Sequence, residues 1–125
     1  MSALERRYAV ALTEAIKSKE EQDKVNKDLN EVADMFTSNL QFKKIMLDPR
    51  INAKLKTGVV KDIFYKDNPL LISFISVLID KDRIRYLDGI SKEFSELTRK
   101  RNNEIKMKIV SATNLTDDEI NGITD

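Results

Sequence analysis

The sequence predicts an all-α fold: a six-helix bundle followed by a short C-terminal β-strand/helix tail. Three observations predict it. The chain has only three Gly and two Pro in 125 residues, which favours long helices and few tight turns. Apolar residues recur at three- and four-residue steps over most of its length, the period of an amphipathic helix. The stretch Asn68 to Leu87, NPLLISFISVLIDKDRIRYL, supplies one helix that is apolar nearly all round, around which the others are expected to pack.

Composition narrows the function classes. Hydrophobic residues make up 41% and charged residues 34%, enough for one core and too charged for a membrane span. The formal net charge of +1 gives no global field toward nucleic acid. There is no Cys and no His, which removes disulfides, thiol chemistry, the commonest metal ligand and the commonest general acid–base. The opening MSALERRYAV carries acid and base before any apolar run, unlike a secretory signal, so the expectation is a soluble protein of the cytosolic side.

The first helix is expected from Ala3 to Lys17, with Leu4, Tyr8, Ala11, Leu12, Ala15 and Ile16 on one face. That face is rich in Ala, so another helix can approach its backbone closely. Ser18-Lys19-Glu20-Glu21 reads as a capping box opening a second helix to Ser38, with Val25, Leu29, Val32, Ala33 and Phe36 as its buried stripe. Asn39 opens a shorter helix that Asp48-Pro49 stops. Asn52 can cap a fourth, carrying Leu55, Val59, Val60, Ile63 and Phe64, with Gly58 inside it. Asn68 caps the fifth, and Pro69 stands at its first position, where the missing N–H costs nothing. A sixth shows Ile84, Leu87, Ile90, Phe94 and Leu97 at helical spacing and runs out near Arg101-Asn102-Asn103. Then Ile105, Met107 and Ile109 alternate with Lys106 and Lys108, a strand pattern. Thr116 to Glu119 reads as a second capping box. The domain reading is residues 1–104 as the bundle and 105–125 as the start of a truncated second domain.

Candidate chemistry is sparse. The densest carboxylates, Glu20-Glu21-Asp23 and Asp80-Asp82, lie in cap and turn contexts, and Asp117-Asp118-Glu119 lacks the glycine and spacing of a calcium loop. No Gly-rich phosphate cradle exists. Neither catalytic residues, nor a cofactor, nor a metal site is expected. Arg99-Lys100-Arg101 with Lys106 and Lys108 is a basic run that RNA could touch, yet no aromatic platform accompanies it and a solvated helix end explains it.

Arg7-Tyr8-Ala9 with Ala11-Leu12 and Ala15 resembles an RYAxAL opening. Asp48-Pro49 with Ile51 falls at an Asn-Pro break, and Lys56 to Phe64 resembles a fourth helix. Leu78 to Leu87 resembles LxxxGRLxxL, and Val110-Ser111-Ala112 with Leu115 resembles VxSAxxL. In this order the pieces resemble the delta subunit of F-type ATP synthases, whose mitochondrial relative is the oligomycin-sensitivity-conferring protein. Two positions depart: Asp82 stands where the family has Gly, at a site expected to end a helix in left-handed conformation, and Thr13 stands where an aromatic is common. Family members continue beyond the position of Asp125, so the chain reads as the N-terminal part of such a protein or a natural truncation.

The resemblance implies a non-catalytic stator connector, tying the catalytic head to the peripheral stalk during ATP synthesis coupled to ion transport. It implies that the bundle binds the alpha subunit's N-terminal helix between the first and fifth helices. Tyr8, Ala11, Leu12 and Ala15 would offer small side chains and apolar anchors, and Ser73, Ser76, Val77 and Asp80 a matching rim. The second domain would meet the peripheral-stalk b subunits. The protein would sit peripherally at the cytoplasmic face of the cell membrane if bacterial, without nucleic acid. The alternatives are a helical adaptor for some other amphipathic helix and an RNA-binding bundle.

Overall fold

The computed structural model describes the backbone of residues 2–65 and 68–123, and the side chains of 2–63 and 68–112. Its helices are α1 (Ala3–Ala15), α2 (Lys19–Ser38), α3 (Leu40–Leu47), α4 (Ala53–Val60), α5 (Pro69–Asp80) and α6 (Leu87–Ile123). A π-helical turn, Lys61–Tyr65, extends α4, and a 3₁₀ turn, Ile84–Tyr86, leads into α6. The all-α bundle is therefore present.

Polar side chains set nearly every start. Ser2 accepts from the Glu5 N–H at 3.2 Å while the Glu5 carboxylate accepts from the Ser2 N–H at 3.1 Å, a complete capping box. Ser18 accepts from the Glu21 N–H at 3.1 Å, but Glu21 reaches back to the Lys17 N–H at 3.0 Å, one residue before the cap. Asn39, Asn52 and Asn68 cap α3, α4 and α5 through the N–H three residues on, at 3.0, 2.8 and 3.3 Å. Asn68 is 4% exposed and also donates its Nδ2 to Asp28 on α2 at 2.8 Å. One side chain thus starts α5 and anchors it.

The core gathers on α6. α1 and α2 pack against it more extensively than any other helices pair. Leu87, Ile90 and Phe94 meet Ala9 and Leu12 of α1 and Val25, Leu29 and Val32 of α2 in one buried cluster. Each large side chain buried there contributes about 1.5–3 kcal/mol. A polar seam runs beside this core between antiparallel α2 and α6. Gln22 donates to Asn102 at 3.0 Å, Ser95 to Asn26 at 2.9 Å and Ser91 to Asn30 at 2.7 Å. On α1, the Glu5 carboxylate fills the space that a Cβ on Gly89 of α6 would take.

Three expectations are corrected. Residues 105–109 are helical, and no strand occurs among the described residues. From Ile90 to Asn121 the chain has neither Gly nor Pro, so extending an existing helix is cheap, whereas a lone strand has no ladder partner. For the same reason α6 passes Arg101-Asn102-Asn103 without ending, and Thr116 to Glu119 lie within it rather than opening a helix. Finally, α5 is not the central helix: it buries Leu71, Ile72, Ile75, Leu78 and Ile79 and leaves Ser73, Val77 and Asp80 of its more polar stripe exposed, as expected, while α6 holds the centre.

The left-handed site is where the sequence places it. Asp82 has φ 55°; its N–H bonds Ile79 O at 3.1 Å, and the Arg83 N–H bonds Leu78 O at 2.7 Å. These two bonds form a Schellman motif. Asp there bears a Cβ penalty that Gly avoids. Asp82→Gly should therefore raise unfolding stability by about 0.5–1 kcal/mol, part of the relief being offset by a freer unfolded chain; urea denaturation checks this, and a lower midpoint would contradict it.

Acid sensitivity follows from three carboxylates. The Ser2 hydroxyl and N–H hold Glu5 below its ordinary range, and hydrogen bonds from Arg50 and Arg99 do the same for Asp48 and Glu96. Groups lowered by folding stabilise above their unfolded pKa and lose that contribution as pH falls through the folded value. Melting temperature should decline as pH drops below about 4.5, near the ordinary glutamate pKa, and Glu5→Gln should make that decline shallower. An unchanged slope in the variant would remove Glu5 from the account.

Candidate functional site: the cleft between α1 and α5

α1 and α5 meet through one aromatic pair. The rings of Tyr8 and Phe74 lie 6.2 Å apart at 74°, edge to face, a favoured aromatic geometry. Arg83, just past the Schellman turn, donates to the Tyr8 hydroxyl at 2.6 Å, and its guanidinium lies 5.6 Å from the Tyr8 ring centroid. Tyr8, Leu70 and Phe74 are half-buried against the core. The end of α5 thereby fixes a side chain on α1.

Around this pair the expected residues separate. Ala11 and Ala15 are exposed on the same flank of α1 as Tyr8, whereas Leu12 is 2% exposed and belongs to the core. At 100° per residue, Leu12 projects onto the buried side with Ala9 and Ile16. On α5, Val77 is 41% exposed and follows Leu70 and Phe74 along the flank that meets α1. Ser73 and Ser76 line a different depression of about 630 Å³, shared with Thr57, Lys61 and Ile72 on the α4 side. Ser76 and Asp80 line another, with Ala53 and Gly58.

Sequence reasoning missed Leu70, Phe74 and Arg83. The signal for the first two was present: Leu70, Phe74 and Val77 recur at four and three residues, a flank of their own. It is hidden because the more polar stripe through Ser73, Ser76, Val77 and Asp80 draws the open side away from Leu70 and Phe74. Arg83 had no local signal, since its partner is 75 positions away.

Around the Tyr8–Phe74 contact lie two exposed alanines of α1 and an exposed valine of α5, an apolar and small-residue surface with no cluster of titratable groups among these residues. Among the described residues no helix is long and apolar enough to cross a membrane. Of the basic run on α6, Arg99 is engaged by Glu96 one turn earlier.

The family model described as ATP synthase delta (OSCP) subunit matches residues 4–125. Among curated proteins, the chain is 36% identical to the ATP synthase subunit delta of Clostridium perfringens over 118 residues, 94% of this chain and 66% of that protein. It is 33% identical to that of Clostridium beijerinckii over 118 residues, again 66% of the relative. With the subunit of Acetivibrio thermocellus it shares 32% over 124 residues, 98% of this chain and 70% of the relative. The chain thus spans slightly less than two thirds of the length of the Clostridium relatives. No solved structure matches it.

Replacing Tyr8 tests the latch. Tyr8→Phe keeps the ring contact with Phe74 and removes the acceptor for Arg83, so it should cost about 0.5–1.5 kcal/mol, the net worth of one such hydrogen bond. Chemical denaturation with unchanged far-ultraviolet circular dichroism checks it. A neutral result would show that the hydroxyl contributes nothing to holding α1 against α5.

Proposed function

Because this chain belongs to the ATP synthase delta (OSCP) subunit family, we propose that it acts as a non-catalytic stator connector. It holds the catalytic head of an F-type ATP synthase to the peripheral stalk while ATP synthesis is coupled to ion transport. In this reading the α1–α5 cleft seats the amphipathic N-terminal helix of an alpha subunit. Tyr8 and Phe74 form the floor, Ala11 and Ala15 give close approach on one side, and Leu70 and Val77 flank the other. Ser73, Ser76 and Asp80, which also line depressions on the α4 side, border it beyond Val77, and Leu12 supports α1 from the core. Residues 1–104 make the head-binding unit, and residues from 105 on lead into a second unit that meets the b subunits. The assembly places the protein peripherally at the cytoplasmic face of the cell membrane if the source is bacterial.

The observation that carries this reading is the exposure of Ala11, Ala15 and Val77 beside a half-buried aromatic pair. Small exposed side chains let a partner backbone come near, and the aromatic floor supplies area to bury. A helical adaptor for some other amphipathic helix would use the same cleft.

Calorimetric titration separates the two. A peptide of about twenty residues, several helical turns, from the alpha subunit's N-terminus should bind the parent chain with favourable affinity and negative heat-capacity change. Ala11→Glu places a charged side chain in the cleft without touching the core, and should weaken binding by about tenfold or more, at least 1.4 kcal/mol. Absence of binding to a folded parent chain would reject the alpha-subunit assignment and favour the general adaptor.

A further inference from the structure

The charges of this chain are segregated. From Leu40 to Lys61 it carries Lys43, Lys44, Arg50, Lys54, Lys56 and Lys61 against the single acid Asp48, although the whole chain is nearly neutral at 22 cations to 21 anions. The remainder is therefore net acidic. Asp48 is already taken: it accepts from the Arg50 side chain at two oxygens, both at 3.0 Å. Lys43 lies 5.9 Å from the Phe36 ring centroid, and Lys44 and Lys54 have no ion-pair partner among the described residues. Among the described residues, Lys43 and Lys44 on α3 are exposed cations without a carboxylate partner.

Beside Lys43 and Lys44 lies an apolar opening. Leu40 is 64% exposed, although it occupies the first position of a helix whose Phe42 and Met46 are buried. With Leu47, Pro49, Lys43, Lys44 and the Arg50–Asp48 ion pair it lines an open depression of about 570 Å³. Isolated exposed leucines are ordinary, but one set in a depression beside two unpaired cations, Lys43 and Lys44, offers both apolar area and charge to a partner.

We propose that this α3 depression is a second protein-docking surface, separate from the α1–α5 cleft, and that its occupant is an acidic amphipathic segment of a partner protein. The cations fix the sign of the partner. Leu40 and Leu47 require that it also bring an apolar side chain. The aromatic residues nearby, Phe36 and Phe42, are buried, so bases have no stacking platform.

The test uses the 125-residue chain, labelled with ¹⁵N, and a synthetic amphipathic peptide of about sixteen residues, long enough for four helical turns, with Leu on one face and Glu on the other. Amide shifts should concentrate in residues 40–50 and leave Ala11 and Val77 unmoved. Lys44→Glu should weaken the peptide by about fivefold to tenfold, and binding should weaken with salt. Leu40→Ser, at an exposed site that leaves the core intact, should weaken it as well. Several outcomes overturn the proposal: no shifts at about 1 mM peptide, the very weak limit of specific binding; shifts confined to the α1–α5 cleft; or an unchanged affinity in Leu40→Ser, which reduces the effect to unspecific charge. Tighter binding of a single-stranded RNA or of phosphatidylserine vesicles than of the peptide would assign the surface to those ligands instead. Concentration-dependent self-association abolished by Lys44→Glu would assign it to a second copy of the chain.

Discussion

The interaction on which the bundle depends is the polar seam between α2 and α6. Gln22, Asn26 and Asn30 stand at four-residue intervals, and their partners Asn102, Ser95 and Ser91 descend in the opposite direction along α6. Apolar stripes tolerate sliding by a turn at modest cost, because a leucine packs nearly as well against the next leucine. A partly buried, hydrogen-bonded amide tolerates sliding less, since a shifted register takes its partner away. The seam therefore converts a permissive apolar contact into one register. With α6 fixed on α2, α1 settles on the other side, where Gly89 leaves space for Glu5.

Once that centre is set, α5 is left partly uncovered. Its mean hydropathy is the highest in the chain, and isolation inside the bundle was the natural expectation. Instead it closes one side of the bundle, fixed at its start by the Asn68–Asp28 bond and at its end by the Schellman turn that carries Arg83 onto Tyr8. Both anchors are polar and lie at helix termini. The middle of the helix is held by packing alone, which leaves its outward stripe open for contacts with other molecules.

Much of this was legible in the sequence, for identifiable reasons. Caps are local: Ser18, Asn39, Asn52 and Asn68 each act within three residues, so their roles could be read directly, whereas the left-handed conformation at Asp82 was legible only through the family resemblance. Helix faces were legible wherever one stripe was clearly apolar, as on α2. Two things were not. Ile105, Met107 and Ile109 alternate with lysines, but alternation over five residues is also compatible with a helix, and only the uninterrupted segment before them decides between the two. On α5 the polar stripe through Ser73, Val77 and Asp80 marked the open side, but it gave no sign that Leu70 and Phe74 lie beside it. Long-range polar pairs such as Arg83 with Tyr8 leave no trace in local pattern.

The continuity of α6 bears on mechanics. Between Asn103 and Ile123 it runs on as helix, about 30 Å at 1.5 Å per residue, and its side chains from 103 to 112 are exposed. An irregular linker at this point would act as a swivel and dissipate torsion applied to its far end. A helix whose first half is wedged between α1 and α2 behaves as a beam clamped at one end. Force on its far end is delivered to the bundle as bending and twisting of one hydrogen-bonded rod, with Phe94 and the serines of the seam at the clamp.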